Sequence, residues 1–122
     1  MLVMQKKWKN LAPHLMRQRV VIEGTTEKIV EPEAIAQYLD TLAEFTKMEK
    51  LSGPYVYSAH EMGYGAWIHW KTSGGAFYSY PTTPPLFTVD CYTCKPFDAE
   101  KAAEFTKEYF KAIELVYKEV EV

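Results

Sequence analysis

Nowhere in this chain does an apolar run approach the ~20 residues that a helix needs to cross a bilayer, so no membrane span is expected. The N-terminus "MLVMQKKWKN" also lacks the layout of an export signal, because its charges follow a short apolar start instead of preceding a long one. Cysteine is scarce, at two residues, and few thiols without an export signal point to a reducing cytoplasm. Basic excess is missing as well. Fourteen Lys and Arg against 16 Asp and Glu give a net charge of −2, which argues against nucleic acid, since phosphate binding rests on a Lys/Arg surplus. The one basic cluster, Lys6, Lys7, Lys9, Arg17 and Arg19, reads as a solvated face. Zinc spacing is absent: there is no second C-x-x-C and no H-x₃₋₅-H, and "HEMGY" at His60 lacks the second histidine of a metalloprotease helix. No metal is expected. Nor is there an internal repeat, a low-complexity tract or a linker long enough to divide domains, so the 122 residues read as one domain, 1–122, with 1–16 as an N-terminal extension.

Aromatics, by contrast, are plentiful at 15%, nine of them tyrosine, which suits a ligand pocket or a subunit interface. "RQRVVIEG", Arg17 to Gly24, reads as a strand ending in a turn. "EPEAIAQYLDTLAEFTKMEK" places Pro32 at a helix start and Ile35, Tyr38, Leu39, Leu42 and Phe45 on one helical face. "SGPYVYSA", "YGAWIHWK", "GAFYSY" and "LFTVDCYT" read as four further strands, the middle two joined by a turn at Thr72-Ser73-Gly74. A second helix follows Asp98, a good N-cap, with Ala102, Phe105, Tyr109, Ile113 and Val116 in line. The order β-α-β-β-β-β-α with short connections predicts an α+β two-layer sandwich, an antiparallel sheet with two helices packed on one face. The other face then needs cover, and a homodimer supplies it.

The stretch "FTVDCYTCKPFD" poses the chemical question. Strand alternation puts Cys91 in step with Phe87 and Val89, and Cys94 in step with Thr88, Asp90 and Tyr92. Thiols starting from opposite faces are poorly placed for a disulfide. A redox motif also wants its first cysteine at a helix N-terminus, and here the helix signal begins only at Asp98. Cys91 reads as core. Cys94, at a strand end before Lys95-Pro96, reads either as a polar edge residue or as a catalytic thiol.

"FTVDCYTCKPFDAEKAAEF" resembles the C-terminal motif of the short prokaryotic S-adenosylmethionine decarboxylases, in which a VD-x-[FY]-TC strand carries a catalytic cysteine ahead of a helix. "SGGAFYSYP" resembles the segment holding that family's self-cleavage serine, and "RQRVVIEG" with its helix resembles the opening βα unit. The resemblance covers about residues 17–116. It implies a pyruvoyl-dependent decarboxylase: a serine hydroxyl attacks the carbonyl before it, the ester eliminates, the chain splits, and the new N-terminus becomes a pyruvoyl group. That group is an electron sink for loss of carbon dioxide from an amine substrate, and a cysteine returns a proton to the substrate carbon. The product feeds spermidine synthesis.

Carried over by position, the resemblance makes Ser73 the pyruvoyl precursor, the Thr72-Ser73 bond the cleavage point, Cys94 the proton donor, and Tyr78 the occupant of a histidine position that assists elimination. Thr72 stands where the family has Glu, Gly74 where it has His, and Gly65 where a further processing serine aligns. The spacing from Ser73 to Cys94 is one residue longer than in the family, within "PTTPPLF". A tyrosine with a pKa near 10 is a poorer base than histidine. Read without the resemblance, Ser73 is a turn serine and Tyr78 one more aromatic on a strand. The resemblance also implies an aromatic stacked on the adenine of the substrate, for which Tyr55, Tyr57 and Tyr64 are candidates although none matches a family motif. The substrate class implied is S-adenosylmethionine or a related amino acid. The substitutions equally suit a non-processing paralogue that binds S-adenosylmethionine or a polyamine, or acts as a regulatory subunit, without catalysis.

Overall fold

The computed structural model describes residues 2–122. Its elements are β1 (Gln18–Thr25), α1 (Pro32–Phe45), β2 (Lys50–Ser58), a single 3₁₀ turn at His60–Met62, β3 (Tyr64–Trp70), β4 (Ser73–Tyr80), β5 (Leu86–Thr93), α2 (Ala99–Phe110) and β6 (Glu114–Val120). Residues 2–17 form neither helix nor strand, and Leu2, Met4, Trp8 and Leu11 stand exposed there beside the lysines.

Pro32 opens α1, where its missing N–H costs nothing and its fixed φ fits the helix. α2 begins at Asp98, whose carboxylate accepts the Lys101 backbone N–H at 3.0 Å. The six strands form one antiparallel sheet in the order β2-β3-β4-β5-β1-β6, so the first strand lies between two strands from the far end of the chain.

β6 corrects the expected order, which ended on the second helix. The periodic face through Ala102, Phe105 and Tyr109 is helical, but Lys111 adopts left-handed angles (φ 52°, ψ 51°) and ends α2. Ile113 and Val116, expected on that helix, instead enter and occupy the edge strand beside β1.

Both helices cover one sheet face. Val20, Ile22, Ile68, Trp70, Phe77, Phe87, Val89 and Cys91 meet Ile35, Tyr38, Leu39 and Leu42 there, all nearly free of solvent. Each large apolar side chain so buried contributes about 1.5–3 kcal/mol over leaving it in water. Phe77 and Phe87 stack nearly parallel at 5.6 Å between ring centres. The buried Tyr38 hydroxyl is satisfied by Thr106 Oγ1 at 2.6 Å, and burial raises its pKa far above the ordinary value.

The opposite sheet face is open. By register it carries Tyr55, Trp67, Ala76, Tyr78, Thr88, Asp90, Tyr92, Arg19, Val21 and Val116, with Tyr55, Trp67, Tyr78, Tyr92 and Val116 exposed. Arg19 Nη2 and Asp90 Oδ2 pair across it at 2.7 Å.

Candidate functional site

β3 and β4 make a tight hairpin, with Trp70 opposite Ser73 and Lys71-Thr72 at its tip. The turn expected at Thr72-Ser73-Gly74 therefore lies one residue earlier, and Ser73 is the first residue of β4. On its other side Ser73 faces Thr93, the last residue of β5, and this register carries the next residue, Cys94, up to Thr72. The Cys94 backbone N–H donates to the Thr72 carbonyl oxygen at 3.0 Å, and the Cys94 thiol approaches the same oxygen at 3.6 Å. Two donors thus converge on the carbonyl just ahead of Ser73. That is the carbonyl a Ser73 hydroxyl would attack, and paired donors on such an oxygen stabilise the charge that develops there.

Ser73 has φ +128°, a region that L residues rarely adopt. Holding a non-glycine residue there costs on the order of 1–3 kcal/mol, which the flanking ladders must impose. The strain sits on the atom that becomes planar if Ser73 loses its side-chain oxygen, so conversion to a dehydro or keto centre relieves it. The chemistry of the donor set therefore fits a pyruvoyl precursor at Ser73: a hydroxyl nucleophile, a strained α-carbon, and a polarised carbonyl before it.

The two cysteines differ as expected from strand alternation. Cys91 is buried among core side chains, and its thiol is pushed up to about 12 by burial and, secondarily, by the charge of Asp90. Cys94 is exposed, and both are free thiols.

Tyr78 does not join this cluster within one chain. It lies five residues along β4 from Ser73, about 16 Å at the usual strand rise, exposed on the open face and opposite Gly65. Of the stacking candidates, Tyr55 pairs with Trp67 and Tyr57 with Gly65 on the open face. Tyr64 begins β3, at the opposite end of the hairpin from Ser73. It packs partly against the core, and its hydroxyl bonds Glu31 Oε2 at 3.3 Å; the nearby Glu31 charge raises its pKa.

Three features of the site had no place in the sequence reading. A β-carbon at Gly74 would lie 2.6 Å from the Trp67 indole and 2.4 Å from the Ile68 carbonyl oxygen, so the ring fills the space over the residue after Ser73. His69 faces Gly74 across the hairpin. The Thr93 side chain, fully buried, reaches Thr72 Oγ1 at 2.9 Å. The "TC" pair and the "GG" pair mark these positions, but only the register shows what they meet.

Residues 20–121 match the family model described as S-adenosylmethionine decarboxylase. The crystal structure of the adenosylmethionine decarboxylase from Aquifex aeolicus VF5 superposes with a TM-score of 0.72 at 21% identity, over 88% of this chain and 90% of that one. At that identity the likeness speaks for the fold. No curated protein matches the chain.

Proposed function

Because the chain belongs to the S-adenosylmethionine decarboxylase family, we propose that it is an S-adenosylmethionine decarboxylase-like enzyme of polyamine (spermidine) biosynthesis that splits itself between Thr72 and Ser73. The observation that carries the reading is the convergence of the Cys94 N–H and thiol on the Thr72 carbonyl, beside a strained Ser73. Ser73 Oγ is the nucleophile, and the Cys94 N–H holds the carbonyl oxygen as charge builds on it. The pyruvoyl group that replaces Ser73 supplies an electron sink for loss of carbon dioxide from the substrate. The exposed Cys94 thiol, next to that position, delivers a proton to the substrate α-carbon.

Partners and compartment belong to the same proposal. The aromatic open face is covered by a second copy of the chain in a homodimer. The substrate is a small amine, S-adenosylmethionine or a related amino acid. Two free thiols suit a reducing cytoplasm.

Intact-mass analysis of the purified chain tests the reading. Fragments of 72 and 50 residues, with carbon dioxide released from S-adenosylmethionine, are expected. A chain that stays whole and releases none sinks it. The filled space over Gly74 and the remote Tyr78 then favour the second reading, a non-processing relative that binds S-adenosylmethionine or a polyamine, or serves as a regulatory subunit. Calorimetry detecting neither ligand would remove the binding form of that one too.

A further inference from the structure

Thr93 ends β5 opposite Ser73 and immediately precedes Cys94. Its hydroxyl lies in a directed chain of hydrogen bonds. The Lys95 backbone N–H donates to Thr93 Oγ1 at 3.1 Å, Thr93 Oγ1 donates to Thr72 Oγ1 at 2.9 Å, and Thr72 Oγ1 donates to Met48 Sδ at 3.6 Å. The Thr93 hydroxyl also comes within 3.9 Å of Met48 Sδ, a longer and weaker contact, and its single proton goes to the nearer Thr72 oxygen. Both ends are anchored. Met48 is buried in the core, and the Lys95 ammonium donates to the Lys47 carbonyl at 2.7 Å. Thr72 is therefore gripped by its side chain at the very residue whose carbonyl faces Cys94. A β-branched side chain held at Oγ has its χ1 fixed, and the attached backbone turns with it.

We propose that Thr93 is a positioning residue for the splitting of the chain: its buried hydroxyl holds Thr72 so that the Thr72 carbonyl oxygen stays on the two donors of Cys94 while Ser73 attacks. The inference rests on the self-cleavage reading above. In the step it serves, a bond forms between Ser73 Oγ and the Thr72 carbonyl carbon as the π pair moves onto oxygen. When that pair returns, the carbon–nitrogen bond to Ser73 breaks and the hydroxyl proton ends on the Ser73 nitrogen, giving an ester isomeric with the peptide. Charge sits on the carbonyl oxygen only during this passage, so donors aimed at it act on the rate. A shift of about 1 Å in such an arrangement is enough for a loss of order 10²-fold.

Time courses of splitting, followed by intact mass and paired with melting curves, compare wild type, Thr93→Val and Thr93→Ser. Valine keeps the shape and loses the hydroxyl; serine keeps the hydroxyl. Thr93→Val is expected to split about 10-fold to 100-fold more slowly and to yield less fragment when hydroxylamine is added to cut the ester, while Thr93→Ser runs close to wild type. If Thr93→Val splits as fast as wild type, or Thr93→Ser is as slow as Thr93→Val at an unchanged melting temperature, Thr93 has no such role and self-cleavage stands. A wild type that never splits, with or without hydroxylamine, removes both ideas. Should Thr93→Val fail to fold, Thr72→Val breaks the same bond from the other side; the same slowing supports the proposal, and an unchanged rate overturns it.

Discussion

Two thiols three positions apart show how far environment separates identical groups. Cys91 sits in the core, where the thiolate would be stripped of water, and its pKa stands at about 12 against an ordinary 9.0. A raised pKa means that the folded state holds its proton where the unfolded chain has released it. The stability from this group is therefore full below pH 9 and drains away as pH climbs from about 9 to 12. Alkaline unfolding should begin in that window, and Cys91→Ala should flatten the dependence there, as read by melting temperature against pH. The buried Tyr38 adds a loss in the same direction at the upper end, because burial raises its pKa too. Cys94 is exposed at the Thr72 carbonyl, and the proposed function gives it a chemical role instead. Its replacement by alanine keeps the backbone N–H and loses the thiol, so the chain should still split, though more slowly, while steady-state turnover per split chain falls about 10²-fold to 10⁴-fold, the usual contribution of a positioned proton donor.

At the scale of elements, the legible parts were those whose signals are local. Pro32 and Asp98 announced the starts of both helices, and β1 and β5 came within a residue or two of where alternation put them. α2 can be tested directly. Asp98→Ala removes the acceptor for the Lys101 N–H and should cost about 1 kcal/mol, a fall of a few degrees in melting temperature.

β6 was hidden because Ile113 and Val116 happen to continue the three-and-four spacing of Ala102, Phe105 and Tyr109. The break comes from a left-handed lysine, Lys111, where no glycine advertises it. Ser73 and Cys94 were paired through the resemblance, and the register that sets Ser73 opposite Thr93 is what puts them side by side. Tyr78 was aligned with that site by position along the chain, but the rise of a strand carries it away. The Thr93–Thr72 bond could not be read at all, since it depends on which residue of β5 falls opposite which residue of the hairpin.

For the whole molecule, the decisive asymmetry lies between the two sheet faces: one is sealed by helices, the other presents Tyr55, Trp67, Tyr78 and Tyr92 to solvent. An apolar and aromatic surface of that kind suits the proposed homodimer. Sedimentation should give twice the monomer mass. Ala76→Arg, a bulky charge in the middle of the open face, should reduce it to the monomer and lower decarboxylation, with the fold retained by circular dichroism.

The strand order has one more consequence. A cut before Ser73 leaves β1, β2 and β3 on one piece and β4, β5 and β6 on the other, yet β1 stays wedged between β5 and β6. The pieces are braided: neither can depart without tearing ladders on both flanks of β1. A nicked chain should hence migrate as a single species on a native gel and come apart only in denaturant, its hydrogen-bonded weave outlasting the loss of covalent continuity.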